Sequence, residues 1–423
     1  MLRKVLTLLF KILLIVGPGL FCVGYTIGTG SVTSMIVSGS KYGTTFLWVV
    51  ALSCIFSAVL MEAYGRLALV TGKTALTNMK HELPFGRRGS VLFAFVTMIM
   101  VIAGQWSCLS GLVGLTSHSV CEICRLVGLP LPGSVFWQVI VVAVFALAVL
   151  YFLFWFGNYS RFETMLVVLV TILGLSFIAS LFLVSPTAGA VAQGLVPRLP
   201  NVPGGSLLIA AMVGTTLAAP TFVVRPILVL SKGWSKSDLK VQRRDAIFSA
   251  LVMFIISGSI MCVAAGAIYD RGGKPVESVM DMVETLRPIA GSGASLLFLF
   301  GMISAGLSSI LPIAMVAGFM KHDFEERPID VQAKDFRVLA AVACLFGLIV
   351  PVLGTNPVVA QVVTQVAQVF VLPLVIGGII LLVNKKSLMG DHKAGLFLNC
   401  GLLLSFAFSL VMSWQAVAGL IQG

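Results

Sequence analysis

Two short stretches of this chain combine hydroxyl side chains with residues that interrupt helices: Gly28-Thr29-Gly30-Ser31 and Gly214-Thr215-Thr216-Leu217-Ala218-Ala219-Pro220. Each falls in the middle of a long apolar run. Gly and Pro release backbone N–H and C=O groups from helical bonding. Lipid cannot satisfy those groups, so such backbone must be buried in protein or line a cavity. Interrupted apolar segments at matching places in two halves point to a solute site near the bilayer midplane. Gly28, Thr29, Gly30, Ser31, Thr215, Thr216, Ala219 and Thr221 are therefore the candidate substrate-binding residues. Two chemistries fit them. Hydroxyls and freed carbonyls suit a partly hydrated cation, with Ser31 and Thr216 as candidate metal contacts. Backbone N–H groups at the start of a half-helix suit a carboxylate or another small anion.

Ionisable and amide groups inside apolar runs form the second set. Of 16 acids, only Glu62 is expected well inside a span, with Arg66 four residues on and on the same helix face. Such a pair neutralises itself in the membrane or relays a proton or ion. Arg225 follows the second break by about one turn. It is expected to snorkel or bond a carbonyl, to hold an anionic substrate, or to stand in for a coupling cation. Gln361, Gln365 and Gln368 recur at helical spacing and are expected to share an interior face, as interhelical bonds or as a polar wall of the path. Asn356 and Pro357 are expected to start that helix.

The cysteines form no framework. Cys22, Cys54, Cys108, Cys262, Cys344 and Cys400 lie in apolar runs and read as small hydrophobes. Cys121 and Cys124, with His118 and Glu122, are expected in a loop, where they offer an incomplete metal site or a strained disulfide. His81, His322 and His392 are expected in loops without a special role. Asn158-Tyr159-Ser160 matches a glycosylation pattern on the wrong side of the membrane.

The elements that position these residues are membrane helices. The chain is 58% hydrophobic and 10% charged, against about a quarter charged in soluble domains. Eleven apolar runs are expected at 9–41 (broken), 44–70, 90–117, 136–156, 162–184, 206–231 (broken), 246–269, 293–319, 336–353, 357–383 and 394–420. The first has no small-residue cleavage site and reads as structure, not as a signal peptide. With the N-terminus in the cytoplasm, twenty Lys and Arg fall on the cytoplasmic side and six outside, the remaining two being Arg66 and Arg225. The C-terminus then lies outside. The net charge of +12 reads as topology and lipid contact; it is scattered over short loops, which excludes a nucleic-acid partner. No nucleophile, base and orienting group converge, so no enzyme is expected and no cofactor is implied. The expected partners are the bilayer and a small solute or metal-ion substrate; no oligomeric state follows.

Further motifs carry a family resemblance. Gly17-Pro18-Gly19, Tyr25, Gly39-Ser40-Lys41-Tyr42-Gly43, Leu47-Trp48-Val49-Val50, Arg66-Leu67 and Val70-Thr71-Gly72 open it. Tyr159-Ser160-Arg161-Phe162-Glu163, Gly174-Leu175-Ser176-Phe177, Gly194-Leu195-Val196-Pro197 and Pro200-Asn201 continue it. Ser304-Ala305-Gly306-Leu307-Ser308-Ser309, Leu372-Pro373 and Leu388-Met389-Gly390 complete it. In this order they resemble the NRAMP divalent-metal transporters over nearly the whole chain. The resemblance implies an all-α, leucine-transporter-like fold of two inverted five-helix repeats, about 9–184 and 206–383, with an extra helix at 394–420, in one domain. It implies alternating access around spans one and six. The family's Asp-Pro-Gly-Asn is replaced here by Gly28, Thr29, Gly30 and Ser31, and its Met-Pro-His by Ala219, Pro220 and Thr221. Gln105 and Cys108 stand where the family's third span carries acids. Gln105, Glu62, Arg66, Arg225, Gln365 and Gln368 are thus the candidate coupling or gating residues.

The leading expectation is a divalent-cation transporter with an altered hydroxyl and carbonyl site. The alternatives are a transporter of a small anion, amino acid or other organic solute held by the Gly-Thr-Gly turn and Arg225, and a non-transporting membrane sensor.

Overall fold

The computed structural model describes residues 26, 28–129, 131–156, 175, 177–182, 184, 186–198, 202–278, 281–282 and 287–422. The first half of span one, most of span five, Cys22, Asn158-Tyr159-Ser160 and several resemblance motifs lie outside them. The apolar runs are helices because a backbone surrounded by lipid must bond to itself. In chain order these are α1 (Thr29–Tyr42), α2 (Leu47–Thr71), α3 (Ala75–Glu82), α4 (Gly86–Leu126), α5 (Val135–Phe156) and α6 (Ala188–Gly194). The two halves of span six are α7 (Gly205–Thr216) and α8 (Ala219–Ser231). Then follow α9 (Leu239–Ala267), α10 (Arg287–Phe324), α11 (Lys334–Gly347), α12 (Ile349–Leu353), α13 (Pro357–Val369), α14 (Leu372–Asn384), α15 (Lys386–Met389) and α16 (Leu396–Gln422).

Among the described residues, nine segments are long and apolar enough to cross a membrane. Burial sorts them. In the most apolar window of Gly205–Ser231, 94% of residues are buried, against 22% for Leu396–Ile421. The broken pair α7 and α8 is therefore the axis of the bundle, and α16 is rim. Helix α7 packs on α13, α2 and α16, α8 on α2, and α9 on both α1 and α2, while α4 lies along α10 and α13. Large apolar side chains such as Phe145, Phe152 and Trp414 are exposed on the outer helices, as the lipid-facing surface requires.

The breaks have local causes. Gly28 is extended and its carbonyl accepts from the Val32 amide, so α1 begins at mid-run. Between α7 and α8, Leu217 leaves helical geometry and Ala218 is extended; Pro220, in the first turn of α8, lacks a donor in any case. The carbonyl of Thr216 is taken up by the Ser57 hydroxyl at 3.1 Å. Two interruptions were not expected. Span ten parts at Phe370–Val371, because Pro373 has no N–H for the Val369 carbonyl. Span nine parts at Leu348. As expected, Asn356 caps α13, accepting from the amides of Val358 and Val359, with Pro357 in its first turn.

Three boundaries correct the sequence reading. Helix α4 runs on to Leu126, so His118, Cys121, Glu122 and Cys124 are helical and not in a loop. Both thiols are free, and Glu122 pairs with Arg125 instead. Helix α10 extends to Phe324, which buries His322 against Pro328 and Asp335. Helix α9 begins at Leu239, so Asp245, which precedes the expected span 246–269, is helical and buried.

Candidate functional site

The two breaks meet around one small cavity. Thr26, Gly28, Gly30 and Ser31 line it from the first stretch, and Gly214, Thr215 and Ala218 from the second. Helix α4 adds Gln105, Cys108 and Leu112, α10 adds Ser309 and Ile313, and α13 adds Gln365. The space open to the centre of a water-sized sphere is about 20 Å³, room for a water molecule or a small ion.

Glycine sets the shape of this site. A Cβ on Gly30 would collide with the amide nitrogens of Gln365 and Gln361, and one on Gly214 with the Gln365 carbonyl. Helices α1, α7 and α13 thus converge at a distance only glycine permits. The Gln365 amide donates to the Cys108 sulfur at 2.8 Å, Gln361 reaches the same sulfur at 3.8 Å, and the Gln368 amide donates to the Gly104 carbonyl at 2.7 Å. The three glutamines therefore fasten α13 to α4. Ser31 Oγ lies 3.4 Å from Ser257 Oγ on α9, and Thr26 Oγ1 lies 3.3 Å from Thr221 Oγ1. Thr29 Oγ1 and Thr216 Oγ1, one at each break, are buried with no hydrogen-bond partner among the described residues.

No formal charge lines this cavity among the described residues. No group of three or more His, Cys, Asp or Glu is placed to hold a metal there either. The donors are hydroxyl, amide and backbone oxygens with one thiol. Such a set suits a hard cation that keeps part of its water, and it lacks the carboxylates that strip one.

Gly28, Gly30, Ser31, Thr215, Gln105 and Gln365 are thus brought together as candidate site residues. Thr29, Thr216, Ala219 and Thr221 are buried beside the cavity without lining it. Gln368 holds helices together one turn away. Glu62 and Arg66 form the expected i,i+4 pair at 2.6 Å, but they line a different cavity. Arg225 neither snorkels nor reaches the chamber: its side chain is 0% exposed and pairs with Asp245 at 2.7 Å. The expected apolar run 246–269 begins one position after Asp245, so its pattern gave no sign of the pairing. Thr26, Cys108, Leu112, Gly214, Ala218, Ser309 and Ile313 line the cavity but were not among the expected site residues. Ser309 had a usable signal, the small and hydroxyl-rich run 304–309; the aliphatic residues had none.

Comparison with known proteins agrees with this architecture. Over 97% of its length the chain is 27% identical to 92% of a divalent metal cation transporter MntH of Ralstonia nicotianae. Over 90% of its length it is 24% identical to 84% of the MntH of Deinococcus radiodurans. A crystal structure of an Eremococcus coleocola manganese transporter, in complex with an aromatic bis-isothiourea compound, superposes with a TM-score of 0.75. That match covers 98% of this chain and 89% of the other at 15% identity, which establishes the leucine-transporter-like fold. Residues 19–419 match the natural resistance-associated macrophage protein-like family, and this integral membrane protein belongs to it.

Proposed function

We propose that this protein is a secondary transporter that moves a divalent metal cation by alternating access, through a site of hydroxyl, amide and carbonyl oxygens. The observation that carries the reading is the neutral, oxygen-lined chamber where the breaks before α1 and between α7 and α8 meet. Ser31, Thr215 and Gln105 offer side-chain oxygens, and the Thr29 and Thr216 hydroxyls, unpartnered among the described residues, stand next to them. The relatives named as divalent metal cation transporters support a metal substrate. The donor set favours Mg²⁺ or Mn²⁺ carried with part of the hydration shell over softer ions. Repeats at about 9–184 and 206–383 would rock about the chamber, with the non-helical residues 217–218 as the joint. The bacterial relatives favour an inner-membrane location, and the loop charges favour a cytoplasmic N-terminus.

The anion alternative loses its main support. Arg225 is paired with Asp245, and the chamber has no room for an organic solute. The test is uptake of Mn²⁺, Mg²⁺ and Cd²⁺ into proteoliposomes, with calorimetric titration of the same ions and of amino and carboxylic acids. Saturable Mg²⁺ or Mn²⁺ flux, reduced about tenfold by Ser31→Ala through loss of roughly one ion contact, is expected. Heat and flux with carboxylates alone would overturn the reading.

A further inference from the structure

A second cavity, of about 320 Å³, lies between α2, α9 and the start of α16. Glu62 and Arg66 of α2 and Arg243 of α9 line it, with Val59, Ile247, Leu396 and Phe397 completing the wall. Its polar part is incomplete. Glu62 uses Oε1 for Arg66, yet Oε2 is buried with no hydrogen-bond partner among the described residues, in a side chain only 9% exposed. Arg66 uses Nη2 for Glu62 and Nη1 for the His392 carbonyl, while its Nε is buried and unpartnered among the described residues. Arg243 is exposed and makes no ion pair among them. Glu62 and Arg66 thus line the wall with bonding capacity unused among the described residues, beside the exposed Arg243 guanidinium. An unpaired buried atom of either kind is costly, more so when charged.

The apolar part opens outward. Ile247, Leu396 and Phe397 are 52%, 77% and 93% exposed. Helices α9 and α16 both begin here, so the site stands at the end of the membrane-spanning segments, where headgroup meets acyl chain.

We infer that this cavity binds the headgroup of an ethanolamine phospholipid. The phosphate takes the partly exposed Arg66 guanidinium and the Arg243 guanidinium. The primary ammonium donates to the Glu62 carboxylate, whose bonding capacity is not filled by Arg66, and the acyl chains lie on Ile247, Leu396 and Phe397. Choline lacks an N–H for Glu62, and a glycerol headgroup lacks the positive charge. An ethanolamine headgroup matches both signs at once. This inference does not depend on the transported substrate.

The test is native mass spectrometry of the full-length protein in detergent. It is titrated with phosphatidylethanolamine, phosphatidylcholine and phosphatidylglycerol of identical acyl chains. One phosphatidylethanolamine adduct should half-saturate at a concentration about tenfold below the other two, the effect of one partly buried charge contact. Glu62→Gln should abolish that preference, and Arg243→Ala should weaken all three lipids. Ile247→Trp, at an exposed position that tolerates substitution, should fill the cavity and remove the adduct even if Glu62→Gln does not fold. Equal half-saturation by all three lipids would overturn the inference. So would an unchanged ethanolamine preference in Glu62→Gln, or an undiminished adduct in Ile247→Trp.

Discussion

At the residue scale, the two arginines of the membrane region behave differently. Arg225 and Asp245 are buried, opposite in charge and 2.7 Å apart. Removing one takes away the other's 2.7 Å counter-ion in a medium that hydrates charge poorly. Arg225→Ala should therefore cost about 3–5 kcal/mol, read as a lowered unfolding temperature in detergent. Arg225→Met with Asp245→Leu should recover most of that loss, because a well-packed apolar pair has nothing to desolvate. If the double variant is as unstable as the single one, the pair does more than neutralise itself. Gly30 acts through size alone. Gly30→Ala should cost about 1–3 kcal/mol of overpacking against Gln365 and Gln361, and metal flux should fall with it. Retained stability and flux in that variant would show that α13 can move aside.

At the element scale, the break between α7 and α8 persists because a neighbouring helix bonds the carbonyl it releases. Ser57 of α2 supplies that bond to Thr216. Ser57→Ala should destabilise by about 1–3 kcal/mol through an unmet buried acceptor, and amide exchange across 213–221 should accelerate. Unchanged exchange would mean that another group takes over the carbonyl. Helix α13 is held differently, by glutamine amides seated against the small residues of α4. The periodicity of Gln361, Gln365 and Gln368 showed that they share a face. It did not show that the face is clasped to Gly104 and Cys108, because partner choice is a property of two helices together. The break at Phe370–Val371 had a visible cause in Pro373, which the length of the apolar run concealed.

At the scale of the whole molecule, one end of the bundle is tied by a charged network outside the spans. The Glu326 carboxylate, in the loop after α10, accepts from Lys80 and His81 of α3. Those hydrogen bonds, Lys80's first, hold its pKa below the ordinary range. For a carboxylate with a lowered folded pKa, the stabilisation is complete above the unfolded value. It is lost as pH falls through the folded one. Hydrogen exchange of α3 should therefore rise below the ordinary carboxylate range, and Glu326→Gln should show the faster exchange already at neutral pH. The effect is expected to be small, since the group is partly exposed. A flat profile in the unmodified protein would remove the carboxylate from the tie.

The amino-acid order by itself determined that this is a bundle of membrane helices with two interrupted segments carrying hydroxyls. Hydrophobic length, Gly and Pro act along one segment, and the bilayer enforces the outcome. Even the Glu62–Arg66 pair was legible, because a single helix sets that distance. What only the tertiary structure decided was company: Gln105 and Ser309 at the chamber, Asp245 beside Arg225, and Glu62 with Arg66 on a separate cavity. Those meetings join residues up to hundreds of positions apart. They depend on how helices pack at glycine-limited distances, and no local pattern encodes that.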